Sequence, residues 1–205
     1  MRRVKEVYAI PMWLNGRAYL KPGQNYRDVC DPVTGEILRK IPLFGAEDVD
    51  EALRSAGGGL PAWDALGESG RKCMLSSLGE ALHDMRAHFS RLIAEETGKH
   101  EESASCDVLT VVSCLRESQM DTVAGVAVVS TRSREFQEVA AQVVAALAAG
   151  ATLVICPSPE SPSALLALAE LSGRCGFPAG VINVIYPSDE ALARLHGMPG
   201  ITVLT

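Results

Sequence analysis

The chain has 205 residues, which is enough for one large domain or two small ones with a buried core. Its residues are 47% hydrophobic and 21% charged, as in ordinary soluble globular proteins, which excludes disordered, collagen-like and disulfide-scaffold classes. Nineteen basic and twenty-five acidic side chains give a net charge of −6. A negative chain has no general attraction to nucleic acid or anionic lipid, so we expect neither nucleic acid nor a membrane as a partner.

The six cysteines are dispersed, and none forms the C-x-x-C pair that is typical of zinc sites and thioredoxin-like redox sites. We therefore expect no metal site, and free thiols in a cytoplasmic protein. Pro11, Asn15 and Gly16 interrupt any hydrophobic run near the N-terminus, so no export signal is predicted. The apolar stretch 139–156 is rich in alanine and broken at Gly150, which favours buried core over a membrane span.

Residues 8–42 are predicted to form extended segments. The dipeptide Asn15-Gly16 lies between short apolar runs and predicts a hairpin over residues 12–20 with a type I′ turn. Apolar and polar residues alternate beyond Thr34-Gly35-Glu36, which predicts a second strand pair around that turn.

Three helices are predicted next, over residues 47–56, 69–97 and 102–119. The triple glycine at 57–59 predicts the end of the first helix, because a phosphate loop would need a preceding strand. In the second, apolar residues recur every three or four positions. We expect that helix to pack against the sheet through Leu75, Leu78, Leu82 and Phe89.

From residue 123 onward, short apolar strands alternate with helices, the pattern of right-handed crossovers and a parallel sheet covered on both faces. The predicted strands are 126–130, 152–156, 181–185 and 201–204, and the predicted helices are 135–149, 161–174 and 188–196. We predict a Rossmann-like, three-layer α/β fold with a mostly parallel sheet, preceded by the N-terminal hairpin and helices. The expected organisation is a single domain, residues 1–205, in which strands and helices over residues 1–122 precede a Rossmann-like α/β region over residues 123–205.

Six segments resemble motifs of the aldehyde dehydrogenase superfamily, in that family's order and spacing. They are 31–36, 46–52, 61–63, 95–99, 146–162 and 176–184. The first reads D-P-V-T-G-E against the family's N-P-A-T-G-E, and the last reads G-F-P-A-G-V-I-N-V against G-L-P-P-G-V-V-N-V. The resemblance implies oxidation of aldehydes with NAD or NADP through a cysteine thiohemiacetal, hydride transfer and thioester hydrolysis.

When the family's functional residues are compared with this chain position by position, two of them are replaced here. The oxyanion-donating asparagine of the family's P-W-N-F-P segment falls near Ser133, whose hydroxyl has a shorter reach. The lysine that contacts the adenosine ribose in that family is Cys156 here, and a thiol is a poor donor without positive charge. The expected cofactor segment is therefore degenerate. It comprises Cys156, Pro157, Ser158 and Glu160, the last one residue beyond the position where the family often has a ribose-binding glutamate.

The family's nucleophilic cysteine and general-base glutamate lie farther downstream than residue 205, so the resemblance implies that this chain lacks both. Cys156 is not expected to replace the nucleophile, because no histidine is placed near it by sequence. The oligomerisation hairpin is also expected to be lost, since the segment between Gln119 and Val123 is short. We expect NAD or NADP binding to be weak or absent.

The sequence is compatible with three functions. The first is a non-catalytic, aldehyde-dehydrogenase-like subunit that binds another protein chain or itself. The alternatives are the N-terminal half of a split enzyme completed by a second chain, and a residual nucleotide-binding module.

Overall fold

The computed structural model describes residues 7–21, 25–118, 125–198 and 202–204. The strands in these ranges are β1 Met12–Leu14, β2 Arg17–Tyr19, β3 Asn25–Cys30, β4 Ile37–Leu43, β5 Val126–Ser130, β6 Thr152–Cys156, β7 Ile182–Val184 and β8 Thr202–Leu204. The helices are α1 Ala46–Ala65, α2 Gly67–Asp84, α3 Arg86–Thr97, α4 Glu101–Glu117, α5 Phe136–Ala148, α6 Ser163–Arg174 and α7 Asp189–His196.

The main sheet has six strands in the order β2-β1-β7-β6-β5-β8. Strands β7, β6, β5 and β8 are parallel, with Val128 opposite Val154 and Ile155 opposite Val184. The hairpin β1–β2 extends the sheet by antiparallel pairing of β1 with β7. Its turn has the positive φ angles of a type I′ turn, 49° at Asn15 and 74° at Gly16. The predictions of a mostly parallel α/β sheet and of an N-terminal hairpin are confirmed.

Helices cover both faces of this sheet. Helices α5 and α6 connect β5 to β6 and β6 to β7, and they pack on those strands. The next connection, through α7, returns past β5 to β8, so its right-handed path lies on the opposite face, where α7 packs beside α1. The strand order therefore reverses at β5 and β8. In open α/β sheets, this reversal point opens a crevice at the carboxyl ends of the strands.

The segment predicted as one helix over 69–97 is two helices, and it does not pack where we expected. Met85 has φ −92° and ψ 12°, outside the helical region, and ends α2 where α3 begins. The apolar spacing continues across the break, so periodicity alone could not reveal it. Leu75, Leu82 and Phe89 are buried, but α2 packs mainly on α4, α5 and α6 rather than on the sheet.

The triple glycine does not end α1, which continues through residues 57–59 to Ala65. The reason is close packing. A Cβ atom on Gly59 would lie 2.7 Å from the carbonyl carbon of Gly180, and one on Gly180 would lie 2.3 Å from the Ser55 carbonyl oxygen. Gly180 also has a φ of +85°, which favours glycine. The low helix propensity of glycine is accepted at Gly59 because a larger residue would push α1 off the sheet, whereas a Cβ at Gly57 or Gly58 would meet nothing within 4 Å.

Side-chain hydrogen bonds fix α1 on the sheet. The Thr152 hydroxyl donates to the Ala56 carbonyl at 2.8 Å. The indole N–H of Trp63, which is buried, donates to the Leu147 carbonyl at 3.3 Å, and its ring stacks on Phe177 with centroids 5.3 Å apart. The contact between α1 and the sheet excludes water, and these hydrogen bonds satisfy the polar groups that the contact buries.

The predicted second strand pair is confirmed as a separate antiparallel ribbon, β3–β4. Phe44 ties it to the main sheet, because its N–H donates to the Tyr186 carbonyl at 2.9 Å and its carbonyl accepts from the Ser188 N–H at 2.8 Å. Arg39 of β4 also donates to the buried carboxylate of Glu96 at 2.7 Å. The ribbon is thereby held beside the carboxyl end of β7.

Two expectations concern residues outside the described ranges, namely the segment between Gln119 and Val123 and the first residue of the strand predicted at 201–204. Among the described residues, no helix has the length and apolar character needed to cross a membrane.

Replacing single glycines of the triplet tests the close approach of α1. A Cβ on Gly58 would meet nothing within 4 Å, so Gly58→Ala should stabilise the fold by up to about 1 kcal/mol through helix propensity. Gly59→Ala should destabilise it by roughly 1–3 kcal/mol, because the added methyl group meets backbone. Urea unfolding of both variants measures the difference. Equal effects of the two substitutions would contradict the packing described here.

Candidate functional site

A cavity of about 990 Å³ lies at the carboxyl edge of the main sheet. Its floor is formed by the residues that follow three neighbouring strands, namely 130–132 around the end of β5, 156–160 after β6 and 186–187 after β7. Helix α7 and the β3–β4 ribbon supply the side walls. The cavity therefore occupies the crevice that the strand order creates.

The predicted cofactor segment lines this cavity. Cys156, Pro157, Ser158 and Glu160 all contribute to its wall. Cys156 is the last residue of β6 and is 3% exposed. This burial raises the pKa of its thiol to about 12. The thiol is therefore protonated near neutral pH and is neither a nucleophile nor a cation.

The polar residues of this segment are bonded to one another and to the loop after β5. The Ser158 hydroxyl accepts from the Glu160 N–H at 3.4 Å. The Glu160 carboxylate pairs with Arg134, and that contact lowers the pKa of Glu160. Glu160 is thus an ionised carboxylate that is already paired with the guanidinium of Arg134.

Ser133 does not join the cavity wall. Its hydroxyl donates to the Glu138 carboxylate at 2.9 Å and accepts from the Glu135 N–H at 3.1 Å. Its backbone N–H donates to the Thr131 hydroxyl at 2.8 Å. The side chain therefore serves the start of α5, and the structure brings together the four predicted cofactor residues but not Ser133.

Sequence reasoning missed a hydrogen-bonded pair in the cavity. The imidazole Nε2 of His196 lies 3.0 Å from the Ser130 hydroxyl oxygen, and both residues line the wall. Ser130 ends β5 and His196 ends α7, so the two positions are 66 residues apart in the chain. A serine at the end of a predicted strand was a signal for a polar site, but its partner, His196, could be identified only from the fold.

The ribbon residues Arg27 and Asp28 were also missed. Arg27 lies 3.7 Å from the Asp189 carboxylate, and Asp28 lies 3.3 Å from the Lys40 ammonium group. The carboxylates of the cavity wall are those of Asp28, Asp189 and Glu160, and each is paired with a cation. Arg132 also lines the wall and is exposed, and it takes part in no ion pair among the described residues.

The family model for the aldehyde dehydrogenase family matches residues 19–138 and 134–205. Together these ranges include more than half of the chain. The chain belongs to the aldehyde dehydrogenase family. The resemblance predicted from six motifs is confirmed. The family depends on NAD or NADP, so these dinucleotides are the ligands against which the cavity is compared.

Curated relatives are similar to this chain over part of their own length. It is 29% identical to an NADP-dependent succinate-semialdehyde dehydrogenase of Escherichia coli K12, covering 82% of this chain and 39% of that protein. It is 26% identical to the lactaldehyde dehydrogenase of the same organism, covering 95% of this chain and 46% of that protein. The chain thus spans less than half the length of these aldehyde dehydrogenases.

Solved structures agree in fold. A lactaldehyde dehydrogenase structure superposes with a TM-score of 0.84 and 25% identity, covering 97% of this chain and 47% of that one. A structure from Sinorhizobium meliloti complexed with NAD gives a TM-score of 0.84 at 22% identity, covering 97% of this chain and 45% of the other. The second likeness establishes the shape alone.

The residues of the cavity fit NAD or NADP poorly. The motif resemblance assigns Cys156 to the position of a ribose-binding lysine, and this residue is a buried, neutral thiol. Glu160 is paired with Arg134, so a ribose would have to compete with an ion pair for its carboxylate.

Burial of Cys156 predicts a selective pattern of alkylation. In the native chain at mildly alkaline pH, iodoacetamide should modify the exposed Cys106 and leave Cys156 unmodified, because its thiol is buried and its pKa is about 12. Unfolding in guanidinium should remove the difference. Mass spectrometry of tryptic peptides measures both sites, and native modification of Cys156 at the rate of Cys106 would contradict the description.

Proposed function

We propose that this chain is a non-catalytic member of the aldehyde dehydrogenase family that binds another protein chain. The observation that carries the proposal is the state of the cavity at the carboxyl edge. The residue at the ribose-lysine position, Cys156, is a buried neutral thiol, and the residue near the oxyanion-asparagine position, Ser133, is bonded to Glu138 away from the cavity.

Aldehyde oxidation needs an activated thiolate, a donor aimed at the developing oxyanion and a positioned cofactor. Cys156 is the cysteine of the cavity wall, and its buried thiol, with a pKa of about 12, supplies almost no thiolate at neutral pH. The Ser133 hydroxyl has its donor on a carboxylate, so aiming it elsewhere would leave that carboxylate without the bond. These residues support binding or scaffolding rather than redox chemistry.

The surface formed by the β1–β2 hairpin and the β3–β4 ribbon, called the two ribbons below, supports a protein partner. Large apolar side chains that are more than a third exposed occur mainly on or beside these ribbons, at Tyr8, Tyr19, Leu20, Tyr26, Val33 and Ile37. In the described chain, β3 pairs with β4 along one edge and with no strand along the other. An unpaired strand edge with apolar neighbours is a template for pairing with another chain.

The charges of β3 favour a different chain over a second copy. A two-fold antiparallel pairing of β3 with itself places only the residue at the two-fold axis opposite its own equivalent. In the two registers that pair most of the strand, that residue is Arg27 or Asp28. Like charges directly opposite each other destabilise a strand pair. A partner strand of different sequence avoids this repulsion.

The experiment measures aldehyde-dependent NAD(P)H formation by the purified chain, with succinate semialdehyde and lactaldehyde as substrates and a full-length relative as positive control. We expect no turnover by the chain alone, and a complex with another protein by light scattering and affinity purification. The double substitution of Tyr26 and Ile37 by lysine should remove that complex, whereas Leu66→Lys, at an equally exposed apolar residue on a different surface, should not.

Turnover by the chain alone would refute the proposal. Turnover that appears only with the co-purifying chain would replace it with the split-enzyme alternative. Retention of the complex after the Tyr26 and Ile37 substitutions would refute the ribbon as the binding surface.

A calorimetric titration tests the cofactor aspect of the proposal. We expect NAD and NADP to bind in the millimolar range or not at all. Cys156→Lys should improve affinity by no more than about tenfold, because the desolvation of a buried ammonium group offsets much of its new ribose contact. Cys106→Lys, at an exposed site, is the control. Low-micromolar binding of either dinucleotide to the unmodified chain would overturn this expectation.

A further inference from the structure

The backbone groups of Asp28 point to the open edge of β3. In an antiparallel pair, residues that exchange both backbone hydrogen bonds alternate with residues whose groups point away from each other. Lys40, opposite Asp28, uses both of its groups on residues 8–10: its N–H donates to the Tyr8 carbonyl at 3.0 Å, and its carbonyl accepts from the Ile10 N–H at 2.9 Å. The Asp28–Lys40 pair is therefore of the second kind, and the N–H and C=O of Asp28 face away from β4.

The cavity reaches this same edge. Arg27 and Asp28 both line it, although neighbouring residues of a strand project to opposite faces. On β4 the lining residues are Ile41 and Leu43, which alternate and share the face of Arg27. The cavity thus borders one face of β4 but both sides of β3, which indicates that it continues around the edge that β4 leaves open.

The two charges of β3 specify the sequence of a strand added at this edge. Directly opposite side chains of an antiparallel pair lie on one face and interact. The side chains of Arg27 and Asp28 are 40% and 42% exposed, and their partners Asp189 and Lys40 lie 3.7 Å and 3.3 Å away. Each charge can therefore take a second contact, from an acidic residue opposite Arg27 and a basic residue opposite Asp28.

The neighbours of these charges call for apolar residues. Val29 is completely buried on the face of Arg27, and Tyr26 is 46% exposed on the face of Asp28. Cross-strand pairs of β-branched residues with apolar or aromatic side chains stabilise a sheet. Because an antiparallel partner runs in the opposite direction, its residues read apolar, basic, acidic, apolar from the amino end.

We propose that the partner chain binds as an antiparallel strand along β3, with a basic residue followed by an acidic residue between apolar neighbours. Its basic residue exchanges two backbone hydrogen bonds with Asp28, and its acidic side chain enters the cavity beside Arg27. This inference rests on the proposed protein-binding role and defines the chemistry of the strand that the partner supplies.

The test uses two β-hairpin peptides whose outer strands read T-V-K-E-V-T and T-V-E-K-V-T. A preformed strand reduces the ordering cost of binding. The K or E of the central pair that lies opposite Asp28 occupies a non-hydrogen-bonded position of the hairpin, so its backbone groups face β3. By fluorescence anisotropy with the full chain, we expect the first peptide to bind roughly fivefold more tightly, because the second places like charges opposite each other. This preference should shrink as salt rises.

Variants of the chain and of the peptide separate charge from backbone pairing. The double variant Arg27→Gln and Asp28→Asn should bind both peptides equally. Arg194→Gln removes an exposed ion pair with Asp50 outside the cavity wall and should keep the preference. Methylation of the lysine amide nitrogen in the first peptide removes its bond to the Asp28 carbonyl and should weaken binding. Thermal melting of each chain variant detects misfolding.

The proposal is wrong if neither peptide binds at millimolar concentration, or if both bind equally. A preference for T-V-E-K-V-T would also overturn it, because that order matches a parallel strand. A preference that survives the double variant would refute the role of the β3 charges. These failures differ from failure of the proposed function, which is the retention of the natural complex after the lysine substitutions at Tyr26 and Ile37.

Discussion

The side-chain amide of Asn183 connects four elements of this fold. The residue is completely buried in β7. Its Nδ2 group donates to the carbonyls of Leu153, at 3.0 Å, and Gly180, at 2.8 Å. Its Oδ1 atom accepts from the Asn15 N–H, at 3.1 Å, and from the Ser55 hydroxyl, at 2.8 Å. The hairpin, α1, β6 and the loop before β7 therefore share one fully bonded polar group, which would be costly to bury if any partner were displaced.

That network requires α1 to lie unusually close to the loop at residues 178–181, and the glycines at 59 and 180 allow the approach. The same loop leads directly into β7, and the residues that follow β7 form part of the cavity floor. Packing at one end of the strand thus fixes the geometry at the other. Phe44 then attaches the β3–β4 ribbon to the chain just beyond β7, which places a wall beside that floor.

Local patterns in the sequence predicted most of the elements, and long-range packing decided the rest. The Asn15-Gly16 turn and the apolar strands 126–130 and 152–156 are specified by neighbouring residues, so they were predictable. The triple glycine was misread because the packing of Gly59 against Gly180, more than a hundred residues away, is not visible in the local sequence. The break at Met85 was missed because the buried stripe continues through it.

The residues of the candidate site were likewise predictable where one local segment carries them and not where the fold brings distant segments together. Residues 156–160 follow a single strand, so the sequence could place them together. The wall residues Arg27 and His196 come from the ribbon and from the end of α7, and no local signal links them to β6. The motif resemblance placed Ser133 near a donor position, but its hydroxyl follows the local geometry at the start of α5 instead.

The ribbon is at once a wall of the cavity and a strand with an unpaired edge. Arg27 and Asp28 face the cavity from the same six-residue strand that offers its edge to a partner. A ligand that changes the position of this strand must change the affinity of the edge for a partner, and thermodynamic reciprocity makes the partner change the ligand's affinity by the same factor. Occupancy of the cavity would then be communicated through β3 to a chain paired at its edge.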